Sequence, residues 1–320
     1  MPILDLPLNE LYDYKPESTA KNDFDAFWET QRNRSAERPL NARLNKIEYP
    51  VKNVTVYEVV YDGVDGTPIH GWYTVPNKSI APTHMPVVIG YHGYSFDRGY
   101  PCDNLHWAVM GIASFTVDTR GQAGKSPDYA TYPQGSVPGF LTLGILDPET
   151  YYYKNAYMDC VRAVDFVCSR DEIDPEKVIL SGGSQGGGLA LAVAGIDHRP
   201  KLMLNIFPFL CDFKRAVEMH TQGPYSEIKE WFRRYDKEQK LEEKVYDTLS
   251  YFDGMNFASR VQAKTQMVIT LQDQVCPPST CFAAYNHLAG EKELLIYKEY
   301  GHEALFGHND QMLKFVANNI

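Results

Sequence analysis

The chain has 320 residues, 44% of them hydrophobic and 22% charged, with 41 Asp and Glu against 31 Lys and Arg and a formal net charge of −10. That composition excludes a disordered, collagenous or coiled-coil chain. The acidic balance argues against nucleic acid as a partner, because binding there needs clustered Lys and Arg to displace counterions.

Within the polar opening, residues 1–50, Phe24, Phe27 and Trp28 share one face of a predicted helix, which should pack as an extension on the main body. Residues 54–75 alternate, with Val54, Val56, Val59 and Tyr61 before a turn and Ile69, Trp72 and Val75 after it, and predict antiparallel strands. From residue 86 the rhythm changes. Short apolar runs at 86–90, 112–117, 177–180, 203–207, 267–271 and 294–297 alternate with helical stretches at 105–110, 151–168, 189–194 and 309–316. In the second of these helices Tyr153, Ala156, Tyr157, Cys160, Val161, Val164 and Val167 recur at spacings of three and four. Short, continuously apolar strands alternating with helices imply an α/β fold, a mostly parallel sheet covered on both faces. Residues 212–258 interrupt the pattern with charged and aromatic helical segments and read as a helical insertion over the sheet. Residues 132–146 are rich in Gly and Pro yet carry Phe140, Leu141, Leu143, Ile145 and Leu146, so this loop either folds onto the body or meets another subunit. The whole chain, 1–320, is read as a single domain with these embellishments.

Six cysteines are too dilute for a disulfide scaffold, and none of their spacings completes a zinc ligand set. No apolar run reaches 18 residues, and residues 1–11 carry Asp5 and Glu10 rather than the basic start of a signal peptide. The expectation is a soluble, cytoplasmic protein with no metal and no membrane partner.

The sharpest motif is Gly182-Gly183-Ser184-Gln185-Gly186, a G-x-S-x-G preceded by a buried strand and followed by a small-residue helix. A serine on such a turn needs neighbours without bulk, and the helix N-terminus brings N–H groups towards developing negative charge. A phosphate loop is excluded because neither a Lys-Ser/Thr ending nor G-x-G-x-x-G spacing is present; a glycine-rich turn without chemistry remains the alternative. A serine hydroxyl needs a base, and the Ser–Asp–His order of this arrangement demands an acid after a later strand and a histidine after the last. Asp273 and His302 occupy those places. His308 is the alternative base and Asp253 the alternative acid, while Glu303 reads as loop support. The N–H groups of Tyr94 and Gln185 are the expected oxyanion donors, and His92 reads as a support of the loop that carries Tyr94.

These residues resemble the acetyl xylan esterase and cephalosporin C deacetylase group, carbohydrate esterase family 7 of the α/β-hydrolases. The likeness runs from the Leu6-Pro7-Leu8 opening and Trp28 through Arg120-Gly121-Gln122, Gly182-Gly183-Ser184-Gln185-Gly186-Gly187, Leu249-Ser250-Tyr251-Phe252-Asp253, Pro277-Pro278-Ser279-Thr280 and His302-Glu303. It implies a serine carboxylesterase that removes acetyl groups from xylo-oligosaccharides, other small acetylated sugars and cephalosporin C. Ser184 would be the nucleophile, His302 the base and acid, Asp273 its orienting partner, Tyr94 and Gln185 the oxyanion hole, and Arg120 and Gln122 the supporting motif. It further implies no metal or organic cofactor and an intracellular homohexamer with sites facing an internal cavity, residues 132–146 lying at its interface. Two departures are visible: Ala123 follows Gln122 where many relatives carry another glycine, and Gly188 stands where Ala is common. A serine peptidase of the same fold and a non-catalytic binding or scaffold protein are the competing readings.

Overall fold

The structure, a computed structural model, describes residues 5–77, 80–133, 135–219 and 223–320; residues 1–4 of the expected extension, 134 of the Gly/Pro-rich loop and 220–222 of the insertion lie outside the described residues. Among the described residues nine strands form one sheet: β1 (Arg43–Ile47), β2 (Val54–Asp62), β3 (Pro68–Pro76), β4 (Met85–Tyr91), β5 (Ala113–Val117), β6 (Ile173–Gly183), β7 (Pro200–Ile206), β8 (Lys264–Thr270) and β9 (Lys292–Tyr297). Their order across the sheet is β1-β2-β3-β5-β4-β6-β7-β8-β9. The first three strands and the β3–β5 pair are antiparallel; every pairing from β5 through β4 to β9 is parallel.

The parallel strands have apolar residues on both faces because both faces are covered. Val87, Ile89, Val178 and Leu180 join the large core beneath the helices Tyr152–Cys168, Gln185–Ile196 and Pro278–His287. Their neighbours Val88 and Ile179 point the other way, into a smaller core with Trp107, Ile112, Met312, Phe315 and Val316. The helix Phe24–Ala36 buries Phe24 and Trp28, and the Trp28 indole N–H donates to the Tyr251 carbonyl (2.9 Å). Of the loop at 132–146, Val137, Leu141 and Ile145 are core residues, so this part folds onto the body.

β1 is an addition to the sequence expectation. It is an edge strand with no fully buried residue, so it carries no apolar run to betray it. The order of β5, β4 and β6 positions the site. The chain lays down β4, crosses to β5 on one side, and returns to place β6 on the other. Loops leaving β4 and β6 therefore diverge, and the crevice between them at the carboxyl ends is where open α/β sheets bind ligands.

Candidate active site

β6 ends at Gly183 and the helix Gln185–Ile196 begins at once, leaving Ser184 alone on the turn. Its backbone is left-handed (φ 56°, ψ −123°), a conformation that costs a non-glycine residue about 1–3 kcal/mol and persists only when its surroundings over-determine it. They do. The Ser184 N–H donates to the Ile206 carbonyl (2.9 Å), and the Ser184 carbonyl accepts from Gly188 (3.1 Å) and Phe209 (2.9 Å). The glycines are required by close approach: a Cβ on Gly186 would lie 2.0 Å from the Tyr91 carbonyl oxygen, and one on Gly188 2.3 Å from that of Phe209. Gly188, unusual for the motif, is thus matched to the 207–210 loop of this chain.

The two remaining strand-end residues meet the serine. His302 Nε2 lies 3.0 Å from Ser184 Oγ, and His302 Nδ1 lies 2.8 Å from Asp273 Oδ2. Asp273 is 2% exposed, and its orientation is fixed by four donors. Oδ1 accepts from the N–H groups of Val275 and Cys276, both at 2.8 Å. Oδ2 accepts from Thr270 Oγ1 (3.3 Å) as well as facing the imidazole. An acceptor-only oxygen at Nδ1 places the ring proton there, so Nε2 presents its lone pair to the serine hydroxyl. The Phe207 ring packs against the imidazole at 4.7 Å. Exposed Glu303 accepts from the Gly301 N–H (3.1 Å), bracing the turn that carries His302.

Asp273, Cys276 and His302 bring one potential metal-ligand atom each within 4.8 Å of one another. Their chemistry favours a proton relay. Both Asp273 oxygens and both imidazole nitrogens are already engaged, and burial, helped by Asp273, pushes the Cys276 thiol well up and away from the thiolate a metal needs. Its Sγ lies 4.0 Å from Ser184 Oγ.

Neither alternative joins this group. His308 begins the helix His308–Asn319 beside the Tyr297 hydroxyl (3.4 Å), and burial lowers its basicity. Asp253 caps the helix Gly254–Ala258, accepting from the N–H groups of Asp212, Phe213 and Met255.

The turn after β4 carries Tyr94, whose N–H has no acceptor among the described residues. The N–H of Gln185 belongs to the first turn of its helix, where backbone donors lack intrahelical partners. A polar platform holds both. The Gln122 and Gln185 amides pair reciprocally, Nε2 of Gln122 to Oε1 of Gln185 at 2.8 Å and Nε2 of Gln185 to Oε1 of Gln122 at 3.1 Å. Gln122 Oε1 also accepts from the Ser95 N–H (2.8 Å), and Tyr153 donates to Gln185 Oε1 (2.8 Å). His92 accepts from the Thr119 N–H through Nε2 (2.8 Å) while its Nδ1 faces the Gly93 carbonyl (2.8 Å). It is neutral in that tautomer, and burial lowers its pKa.

Arg120 is fully buried. Its guanidinium donates to Asp159 (2.6 and 3.0 Å), Asp65 (2.8 and 3.0 Å) and Asp128 (3.3 Å). Burial works against the charge on Asp65, but the guanidinium outweighs it and holds that carboxyl well below the usual range. The Arg120 carbonyl in turn accepts from Tyr152 (2.6 Å), whose hydroxyl accepts from Gln122 (3.1 Å). Arg120 therefore sets the backbone beneath the glutamine platform.

Sequence reasoning passed over Phe207, Cys276 and Glu227. Glu227 reaches in from the helix Ser226–Tyr235, accepting from the Tyr94 hydroxyl (2.7 Å) and the Leu141 N–H (3.0 Å). Its spacing held the clue: it sits one helical turn before Trp231, on the face that buries that indole.

A family model described as acetyl xylan esterase matches residues 1–319 of the chain. The solved acetyl xylan esterase from Paenibacillus sp. R4 is 59% identical, with a TM-score of 0.97 over 98% of this chain and 100% of that one. Acetyl xylan esterase 1 from Thermoanaerobacterium sp. JW/SL YS485 is 31% identical, with a TM-score of 0.94 over 98% of this chain and 99% of its own. The acetyl esterase Axe7A of Xylanibacter ruminicola is 29% identical over 290 residues, 88% of this chain; the match spans 63% of the length of that curated relative.

Proposed function

Because the chain belongs to the acetyl xylan esterase family, we propose that it is a serine carboxylesterase removing acetyl groups from small acetylated saccharides, such as xylo-oligosaccharides, and from cephalosporin C. The observation that carries this reading is the continuous relay Asp273–His302–Ser184, with contacts of 2.8 and 3.0 Å, at a helix N-terminus.

Ser184 attacks the acetyl carbonyl while His302 Nε2 takes the hydroxyl proton. The tetrahedral oxyanion lies against the N–H groups of Tyr94 and Gln185, each such donor being worth about 10²–10³-fold in rate. The C–O bond to the sugar breaks as His302 returns its proton to the leaving oxygen. Water, deprotonated by the same imidazole, then attacks the acyl-enzyme; acetate leaves and Ser184 regains its proton. Asp273 keeps the imidazole in the required tautomer and stabilises its cationic form without taking the proton.

The enzyme is proposed to work as a cytoplasmic homohexamer on small esters. Exposed Phe96, Tyr100, Tyr129 and Phe306 supply apolar surface for contacts between copies, and six unpaired cysteines fit a reducing compartment. Among the described residues no helix is long and apolar enough to cross a membrane. Light scattering on the eluted protein should give six chain masses; a monomer would refute the assembly. For the chemistry, Ser184→Ala should lower acetate release from acetylated xylobiose at least 10³-fold and abolish labelling by a fluorophosphonate. A variant that keeps half of the wild-type rate, or labels at another residue, would overturn the assignment of the nucleophile.

A further inference from the structure

We propose that Glu227 is a positioning residue of the oxyanion pocket: ionised, its carboxylate holds Tyr94 and the backbone at 140–141 in the arrangement that aims the Tyr94 N–H at the developing charge. The inference rests on the reading of Ser184 as nucleophile and adds a residue from the helical insertion to that site.

Four segments converge here. Glu227 Oε1 accepts from the Tyr94 hydroxyl, Oε2 accepts from the Leu141 N–H, and the Tyr94 oxygen itself accepts from the Phe140 N–H. The Tyr94 ring is wedged edge-on between Phe140 (5.3 Å) and Phe209 (5.9 Å), and Phe209 belongs to the loop bonded to the Ser184 carbonyl. The side chain of Tyr94 is thus the handle by which its main chain is held. Gly139 lies so close that an added Cβ would meet the Glu227 carboxyl at 2.1 Å, so only a glycine leaves space for the carboxyl there.

Among the described residues, the carboxylate has no cation beside it. From the turn after β4 it faces the Tyr94 phenol, and from the segment entering the helix Tyr152–Cys168 the Tyr151 phenol; both are pushed up by burial and stay neutral. From the 137–141 loop it meets backbone only. On its own helix, Lys229 turns to the Met219 carbonyl, and Arg233 and Arg234 pair with Glu230. Burial therefore raises Glu227 to about 7, opposed only by its hydrogen bonds. Protonation has a definite structural consequence. Each carboxyl oxygen receives one of these donors in a charge-assisted hydrogen bond, and an added proton removes the charge that strengthens both contacts. Acidification loosens the Tyr94 handle.

The experiment is kcat and KM against pH for wild type, Glu227→Gln, Tyr94→Phe, the double variant and Ser184→Ala. The relay is common to wild type and Glu227→Gln, so a step that this variant loses belongs to Glu227. Protonation of Glu227 should give the wild-type acid limb a step centred near pH 7. Glu227→Gln presents one donor where an acceptor is needed. It should lower kcat about tenfold or more with KM within threefold, at most the ~10²–10³-fold of losing an oxyanion donor, and remove that step. Tyr94→Phe cuts the same link and should give a similar loss, with the double variant no worse than either single one. If Glu227→Gln does not fold, the wild-type profile and Tyr94→Phe still decide. A wild-type profile without a step near pH 7 that Glu227→Gln removes, or variants within twofold of wild-type kcat, would overturn the inference while a dead Ser184→Ala left the esterase reading standing. An active Ser184→Ala would bring both down.

Discussion

Replacing Asp273 by Asn tests the relay at its most constrained point. Asn is the same size and offers one acceptor oxygen and one donor nitrogen in place of two acceptors. Asp273 uses both: Oδ1 takes two N–H groups, from Val275 and Cys276, and Oδ2 takes the imidazole and Thr270. The amide must put its oxygen where the donors cannot change roles, because the Thr270 hydroxyl and the imidazole can each present an acceptor instead. On the Oδ1 side that means two backbone N–H groups that cannot move without unmaking the turn, so the NH₂ falls opposite His302 Nδ1. That nitrogen must then become an acceptor, the ring proton shifts to Nε2, and Ser184 faces an N–H instead of a base. The same tautomer inversion in a serine protease triad costs about 10⁴-fold, which is about 5.5 kcal/mol of transition-state stabilisation. Turnover of acetylated xylobiose by Asp273→Asn should fall by about 10⁴ with circular dichroism unchanged and KM little altered. A folded variant retaining a tenth of wild-type kcat would mean that Asp273 does not select the tautomer, and the relay as described would be wrong.

Gly188→Ala should destabilise by about 1–3 kcal/mol through overpacking, since its methyl would lie 2.3 Å from the Phe209 oxygen; a melting temperature within 1 °C of wild type would show that the loop yields freely. Arg120→Met should lower the unfolding free energy in urea by about 3–5 kcal/mol, because it strands Asp159 beside Asp65; a loss below about 1 kcal/mol would mean the acids find other partners. His92 has a lowered folded pKa, so the unfolded state takes up a proton first as pH falls below about 6.5 and the native state loses stability there. Nitrogen NMR should find its imidazole neutral at pH 6; an imidazolium signal would contradict the Thr119 N–H contact.

What could be read beforehand followed a physical rule about where information lies. Strands in the covered parallel sheet carry short apolar runs, such as 87–89 and 267–269, so they stand out, and Ser184, Asp273 and His302 could be picked out as candidates because they follow such runs in the required order. β1 pairs on one side only and has exposed and half-buried positions in no regular alternation, so burial imposed no pattern on it. Tyr153 was legible as helix packing within 151–168, but periodicity counts rings and is blind to hydroxyls. The donations of Tyr152 to the Arg120 carbonyl and of Tyr153 to Gln185 depend on contacts 32 residues away. Glu227 was hidden for a related reason: it contacts residues 133 and 86 positions away in sequence, and a charged residue in a charged helix looks like solvated surface.

The devices that shape the site oppose stability, and this links them. Ser184, Phe207 and Leu210 all adopt positive φ, a cost for side-chain-bearing residues. The Phe209 N–H, from between the last two, is one of the groups that pins the serine carbonyl. Glu227 adds a carboxylate without a cation among the described residues: its folded pKa lies above that of an exposed carboxylate, so the native state loses stability as pH rises from about 4.5 through about 7. Ionisation of Glu227, which on this reading tightens the Tyr94 handle, is the form the fold tolerates least. The strained 207–210 loop touches both halves, packing Phe207 on His302 and Phe209 on Tyr94. Leu210 is itself fully buried, so Leu210→Gly would relieve about 1–3 kcal/mol of backbone strain but empty a core position at a larger cost of about 2–5 kcal/mol. It should lower the melting temperature and, by loosening the loop that carries Phe207 and Phe209, kcat as well; a variant as heat-stable as wild type would show that the strain outweighs the packing.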